Sequence, residues 1–350
     1  MVAKDSCASD NPSYNTPEQR AQHPTPTRFL QAKADTAVNA SKVAAYIAML
    51  GDVSKKEYLK HEWYLHHTVA PFIVWWFSRQ QHAMGIFGSV GEIGVQYGGF
   101  FLALATSSAS GEQPYAIDIF DRQHLNLDAS GSGAWKQFSA NVEMLGFRAL
   151  KLSHSKLSRA TGFEPKQGSR TRRTVVAMQS LSTDITSAAI ERLIPQPTRL
   201  ISVDGGHSRE STCHDLNLAA AHLHDGGIVV VDDVGCCEKD TTWGLGVIDG
   251  VASFFAGPHR RELVPFFYYF PKLFLTTPAF AKRYQRAMRS DPLLNATLLR
   301  FDLGSTDRGA RMHRSRSTLF GGELLRAGRR PPETDVRDAW LRMVRASRIR

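Results

Sequence analysis

An α/β fold, built on a mostly parallel sheet with helices on both faces, is the architecture this sequence predicts. Three observations carry the prediction. From Gly85 onward, short apolar runs closing on an acidic residue or glycine alternate with longer amphipathic stretches, the rhythm of a parallel sheet with crossover helices. The first such run leads into a glycine-rich turn between Val90 and Gly99. The last two runs, Leu263 to Phe270 and Leu273 to Thr277, flank Pro271-Lys272 and predict an antiparallel hairpin at the end of the sheet.

The elements follow in order. Ile86 to Ile93 predicts a strand and Phe100 to Ser107 a helix; Tyr115 to Ile119 predicts a strand and Ala134 to Leu145 a helix stopped by Gly146. Thr174 to Met178 and Ser187 to Leu193 repeat the pattern. So do Arg199 to Val203, the helix His214 to His224 with its stop at Gly226-Gly227, and the strand Ile228 to Val231. Upstream, residues 1–27 are rich in Pro, Ser, Asn and Thr and read as a flexible leader. Residues 28–84 read as a helical N-terminal cap: Arg28 to Leu50 has helical spacing, and Lys55 to Gln81 is an aromatic-rich stretch that either covers an acceptor pocket or packs on the core, packing being the ordinary role of such residues. The α/β domain spans 85–280, and 281–350 is a basic, partly helical extension.

Composition narrows the function. The 350 residues are 42% apolar, which excludes a disordered chain, and glycine lacks the period of a collagen-like one. Four cysteines, with no CxxC pair, make neither a disulfide framework nor a zinc site and suit a reducing compartment. The N-terminus lacks a secretory pattern, and Val69 to Phe77 is about half the length of a membrane span, so a soluble cytoplasmic protein is expected. The net charge of +10 first suggests a polyanionic partner. It is unevenly placed: Arg148 to Arg173 carries +7 and Phe301 to Arg350 carries +6, leaving the rest of the chain at −3. Neither basic segment follows the strand–helix rhythm, and the first reads as an insert in the α/β domain.

Three constellations carry chemistry. In the glycine-rich turn, Gly94, Gly98 and Gly99 allow close approach of a ligand to the backbone, while Glu92 disfavours a dinucleotide phosphate and suits a ligand bearing an ammonium group. The GxGxxG spacing of NAD-binding turns and the GxxxxGK[ST] of nucleotide triphosphatases are both absent. Asp118 ends the second strand of the domain, where a carboxylate can accept both hydroxyls of a ribose. The strongest signal is Ile201 to His207 followed by Gly226 to Asp233. Adjacent parallel strands ending there bring Asp204 beside Asp232 and Asp233, and converging carboxylates call for a cation; hard oxygen ligands in a half-open site suit Mg²⁺. His207, three residues beyond Asp204, is a candidate general base or further metal ligand.

Together, Glu92-Ile-Gly94 with Gly98, Asp118, Val203 to His207 and Gly226 to Asp233 resemble the class I S-adenosylmethionine-dependent methyltransferases, in particular the metal-dependent branch that methylates hydroxyls of sugars and other small molecules. The resemblance covers about Gly85 to Pro278, and its specificity lies in the ordered set of motifs. It implies a Rossmann-like sheet of seven mostly parallel strands with a terminal antiparallel hairpin. It implies that Glu92, Gly94 and Gly98 line the methionine end of the cofactor, that Asp118 holds the ribose, and that Gln179 and Ser180 lie near the adenine. Asp204, Asp232 and Asp233 would bind Mg²⁺ or another divalent cation, and His207 would take the acceptor's proton. Gly99 stands where members often carry Ser, and the basic insert is unusually long. The implied partner is a small hydroxylated acceptor, a sugar or natural product; homo-oligomerisation is left open. The competing readings are a nucleic-acid or protein methyltransferase using the basic segments, a non-catalytic S-adenosylmethionine-binding protein, and an NAD-dependent oxidoreductase, the last disfavoured by the missing GxGxxG.

Overall fold

The computed structural model describes residues 66–128, 133–153, 173–234, 243–257, 262–269, 271–291, 294, 317–319 and 322–326. The predicted leader, the helix expected over Arg28 to Leu50, most of the basic insert and most of the C-terminal extension lie outside the described residues.

The strands are β1 Ser89–Ile93, β2 Pro114–Asp118, β3 Arg148–Ser153, β4 Thr174–Gln179, β5 Thr198–Val203, β6 Leu223–Val231, β7 Val264–Tyr269, β8 Lys272–Thr276, β9 Ser317–Leu319 and β10 Gly322–Arg326. They form one sheet in the order β3-β4-β2-β1-β5-β6-β8-β7-β10-β9. From β3 to β6 all neighbours are parallel; β8 runs antiparallel to both β6 and β7. The parallel strands are buried apolar runs, as a sheet covered on both faces requires: Val229, Val230 and Val231 of β6 and Leu200 and Ile201 of β5 are almost wholly inaccessible. The order of β1 and β2 on one side and β5 and β6 on the other reverses direction at β1. This leaves a crevice beyond the carboxyl ends of β1 and β5, where ligands of open α/β sheets bind.

Seven strands were expected, and all seven are present in consecutive places from β4 to β7. Three more extend the edges. β3 lies in the basic segment that was expected to stand outside the sheet, pairing parallel with β4 through Arg148↔Thr174 to Ser153↔Gln179. Its charged residues suit an edge strand, and they hid its extended character in a run read only for charge. On the other edge, β10 pairs parallel with β7 and antiparallel with β9, so part of the C-terminal extension is sheet rather than helix.

The helices are α1 His66–Ala83, α2 Phe101–Ser107, α3 Trp135–Met144, α4 Ser187–Leu193, α5 Arg209–Ala221, α6 Trp243–Ala256 and α7 Pro278–Ser290. α5 starts five residues before its expected start at His214. Ser208 caps it by accepting a hydrogen bond from Ser211 N at 3.1 Å, and Glu210 sits in the first turn where the helix dipole favours it. That first turn is polar, so apolar spacing alone did not reveal it. Over its described side chains α1 packs on the core: Ile73, Val74 and Phe77 are fully buried, with the Phe77 ring edge-on to Phe266 and Tyr284 at 5.5 and 5.6 Å. Phe254, Phe255, Phe266 and Phe267 belong to the core clusters.

The amino ends of the strands are locked by a buried ion pair. Arg199, second residue of β5, has no exposed surface and grips Glu112 bidentately at 2.7 and 2.7 Å. Its remaining donors reach Gln81 Oε1 of α1 and the Ser107 carbonyl that ends α2. Glu112 also accepts from Gly88 N and Ala109 N, so every lone pair of the pair is used. Burial would raise the Glu112 carboxyl, but Arg199 and His82 outweigh it and hold it at about 2.

Removing one partner leaves the other charge buried and unpaired. Glu112→Gln is therefore expected to cost about 3–5 kcal/mol of unfolding free energy. The folded-state pKa is depressed, so the native contribution is complete above the ordinary value of 4.5 and is lost as pH falls toward about 2. Urea unfolding of both chains at pH 7 and at acid pH checks this: the gap between them should close on acidification.

Candidate active site

The turn after β1 is shaped by contact with the turn after β5. Gly94 has φ +80°, and a Cβ there would stand 1.8 Å from the Asp204 carbonyl oxygen, so only glycine fits. The ladder continues past the strand ends through Gly94 N to Ile117 O, Asp204 N to Ile93 O and Asp232 N to Val203 O, at 2.8 to 3.0 Å. The residues that end β1, β5 and β6 are therefore in register at the carboxyl edge of the sheet.

Glu92, in β1, is 1% exposed. Neither of its oxygens makes a hydrogen bond; the Ser202 hydroxyl across the ladder is close but outside hydrogen-bond geometry. Burial raises its carboxyl to about 8, with Lys272 pulling the other way. An orphaned, buried carboxyl under a glycine turn fits a ligand that supplies a cationic donor.

Asp118 ends β2 and accepts hydrogen bonds from Val95 N and Gln96 N at 2.8 Å each through Oδ2, and from Phe120 N through Oδ1. It thus clamps the glycine turn to the end of β2. Burial raises its pKa, opposed by these three backbone donors. Gln179 and Ser180 follow at the end of β4: Gln179 Nε2 donates to Ile119 O at 3.2 Å and Ser180 N to Asp118 O at 3.1 Å. Gly98, at φ +92°, lies against Phe138 of α3, 3.2 Å from a hypothetical Cβ.

Across the crevice, Asp204, His207 and Asp233 come together, with one ligand atom from each within 4.8 Å of the others. Asp204 follows β5, and the Gly205-Gly206 turn carries the chain over to His207 immediately before the Ser208 cap of α5. A Cβ on Gly205 would strike the buried Asp215 carboxylate at 2.6 Å. Asp233 stands in the left-handed region at φ 57°, and its N–H donates to Asp232 Oδ1 at 2.9 Å. A non-glycine residue in this region is held there by its surroundings. His207 Nε2 is 3.1 Å from Asp233 Oδ2, and its Nδ1 is 3.0 Å from Asp128 Oδ2. Asp128 also accepts from His207 N at 2.8 Å.

Asp232 lies beside this group and is turned to another partner. Its Oδ2 accepts from the ammonium of Lys272, the first residue of β8, which is 2% exposed. Burial and the neighbouring Asp232 and Asp233 push Asp204 well above the ordinary carboxylate range. Burial would lower His207, but Asp128, Asp233 and Asp204 raise it to about 10. The two carboxylates offer hard oxygen ligands suited to a divalent cation such as Mg²⁺ or Mn²⁺, with the His207 imidazole beside them.

All of the residues predicted for the site, from Glu92, Gly94, Gly98 and Asp118 through Gln179 and Ser180 to Asp204, His207, Asp232 and Asp233, end up at the carboxyl ends of β1, β2, β4, β5 and β6 or in the turns that follow. Asp128 and Lys272 join them unforeseen. Asp128 has no local signal, lying in a loop far from His207 in sequence. In the sequence Lys272 reads as a turn residue beside Pro271. A lone lysine opening an apolar run antiparallel to the acidic strand was the signal that could have found it.

A family model described as a methyltransferase domain matches residues 92–234, from Glu92 to just beyond Asp233. These residues form a methyltransferase domain. The match covers about two fifths of the chain and takes in every predicted site residue. No curated protein matches the sequence. Among solved structures, an O-methyltransferase from Bacillus cereus in complex with SAH is 11% identical, covers 67% of this chain and 89% of its own, and has a TM-score of 0.38. The O-methyltransferase TomG from Streptomyces achromogenes, involved in tomaymycin synthesis and in complex with SAM, is 14% identical over 60% of this chain and 79% of its own, with a TM-score of 0.37. The MycE methyltransferase of mycinamycin biosynthesis, in complex with Mg, SAH and mycinamycin VI, is 15% identical over 57% of this chain and 48% of its own, at 0.34. Likenesses at this level carry no argument about what this domain binds. No helix among the described residues is long and apolar enough to cross a membrane.

The methyltransferase domain's histidine offers a direct check. Asp128→Asn removes a charged acceptor from Nδ1, so the His207 pKa should fall below that of the unaltered chain, by roughly one unit or more per lost charge-assisted hydrogen bond. Titration of the imidazole by NMR measures it; an unchanged value would show that Asp128 does not act on the ring in solution.

Proposed function

We propose that the domain transfers a methyl group from S-adenosylmethionine to a hydroxyl of a small molecule, a sugar or other hydroxylated natural product, with the help of a divalent cation. The observation carrying the proposal is the convergence of Asp204, His207 and Asp233 on one rim of a crevice whose other rim is the Glu92–Gly98 turn, within a methyltransferase domain. S-adenosylmethionine supplies an activated sulfonium methyl, and a divalent cation lowers the pKa of a hydroxyl beside it.

The chain's own residues do the rest. Glu92, buried and unpaired, offers the methionine ammonium a carboxylate; pairing would draw its pKa down from about 8. Asp118 fixes the turn through Val95, Gln96 and Phe120 and keeps an Oδ1 lone pair for a ribose hydroxyl. Gln179 and Ser180 border the adenine side. Asp204 and Asp233, with Asp232 behind them, hold the cation. His207 keeps Nδ1 toward Asp128 and presents Nε2 to the acceptor side, where it takes the hydroxyl proton. Asp128, Asp233 and Asp204 together raise the His207 pKa, and a cation neutralising Asp204 and Asp233 would withdraw part of that effect and favour the base form. The donor set favours an oxygen nucleophile over a nucleobase, whose ring nitrogens need no such cation.

Transfer of isotopically labelled methyl from S-adenosylmethionine, assayed across sugars, catechols and hydroxylated natural products with and without EDTA, tests the proposal. Turnover should be lost in EDTA and restored by Mg²⁺, and His207→Ala should lower kcat by roughly 10²-fold or more. Full activity in excess EDTA would remove the cation from the account. Methylation of RNA or DNA in place of all small hydroxylated acceptors would overturn the acceptor class.

A further inference from the structure

Among the described residues Lys272 is the one lysine whose ammonium lies with the acidic residues of the site, and neither the family match nor the chemistry above assigns it a role. Its position follows from topology. β8 runs antiparallel to β6 with Val231 opposite Leu273, so the residue before Leu273 lies beside the residue after Val231. A lysine opening β8 is thereby delivered to the carboxyl end of the parallel strands, beside Asp232. Its side chain is buried, donates to Asp232 Oδ2, and lies 4.2 Å from the centroid of Phe100, in the segment leading from the glycine turn into α2. Asp204 and Glu92 are close enough to act on it electrostatically. The ammonium therefore stands between the turn that faces the cofactor and the carboxylates that face the cation.

We infer that Lys272 is a built-in counter-cation that occupies Asp232 and sets a ceiling on the domain's affinity for a divalent ion. The inference rests on the metal-assisted reading above. A positive charge fixed within a few ångströms of a cation site opposes a second cation there, and the opposition is strong where water is excluded. The same ammonium lets the carboxylates stay folded and buried before any ion arrives, because an unpaired buried charge is costly. Lys272 is thus a positioning residue: it preorganises Asp232 and makes the divalent ion loosely held and exchangeable, so that the site is completed only when an acceptor oxygen adds its own contact.

Mn²⁺ titration by calorimetry on the full chain tests this, comparing wild type with Lys272→Gln, which keeps a hydrogen-bond donor without the charge, and Lys272→Arg, which keeps the charge. Lys272→Gln should bind Mn²⁺ about tenfold more tightly or better, an extra 1.4 kcal/mol or more by the usual conversion. Lys272→Arg should match wild type, and thermal melting should show Mn²⁺ stabilising the Gln variant more than the other two. A Lys272→Gln chain that folds only with Mn²⁺ supports the inference, since the ion then replaces the ammonium. Binding by the Gln variant that is no tighter than wild type, or a Gln variant that stays unfolded at saturating Mn²⁺, overturns it. If wild type and Lys272→Gln both bind no Mn²⁺ and turnover ignores EDTA, the metal-assisted reading has failed and the inference falls with it. That outcome differs from the others because the wild-type chain itself gives no signal.

Discussion

Carboxylates cannot be gathered out of water without a countercharge, and this domain gathers four of them. Glu92, Asp204, Asp232 and Asp233 sit at or near the ends of three adjacent parallel strands, where the backbone ladder leaves them no freedom to diverge. The compensation comes from elements that the same topology delivers to the same edge of the sheet. The antiparallel β8 brings Lys272 to Asp232, and the start of α5 holds His207 against Asp233. The site's electrostatics are a consequence of strand order, because parallel strands must all present their carboxyl ends to one edge.

The opposite edge of the sheet solves the converse problem. At the amino ends a single buried arginine, Arg199, is paired so completely with Glu112, Gln81 and the Ser107 carbonyl that nothing is left for a ligand. Buried charge at that end is fully spent on joining α1, α2 and β5. At the carboxyl end it is deliberately incomplete: Glu92 has no hydrogen bond, Asp204 is driven toward its neutral form, and His207 is held as a cation by its neighbours. One edge is closed by complete pairing, and the other keeps acidic groups unsatisfied.

Much of this was legible before the structure. Buried parallel strands are apolar runs, so β1, β2, β4, β5 and β6 announced themselves, and the carboxylates closing them marked the rim. The errors have physical causes. β3 carries Arg148 and Lys151 on an edge, so its charge masked its extended pattern, and the polar first turn of α5 hid behind Ser208 to Ser211. β9 and β10 lie in a segment whose twelve arginines suggested a tail. Within the site, residues at strand ends were found because their place follows from the strand. Asp128 and Lys272 act across long sequence separations, where pattern has no purchase. The +10 net charge, which first suggested a polyanionic partner, has no part in the site: charge there is acidic, countered from within.

The proposed function requires the Glu92–Gly98 turn and the Asp204, His207 and Asp233 cluster to form the two rims of one reaction centre. Anomalous diffraction from crystals grown with Mn²⁺ and S-adenosylhomocysteine addresses it most directly. A manganese peak is expected in coordination contact with the carboxylates of Asp204 and Asp233, with the methionine end of the ligand on the Glu92–Gly98 turn facing it. Manganese bound away from those carboxylates, or S-adenosylhomocysteine seated elsewhere in the molecule, would contradict it.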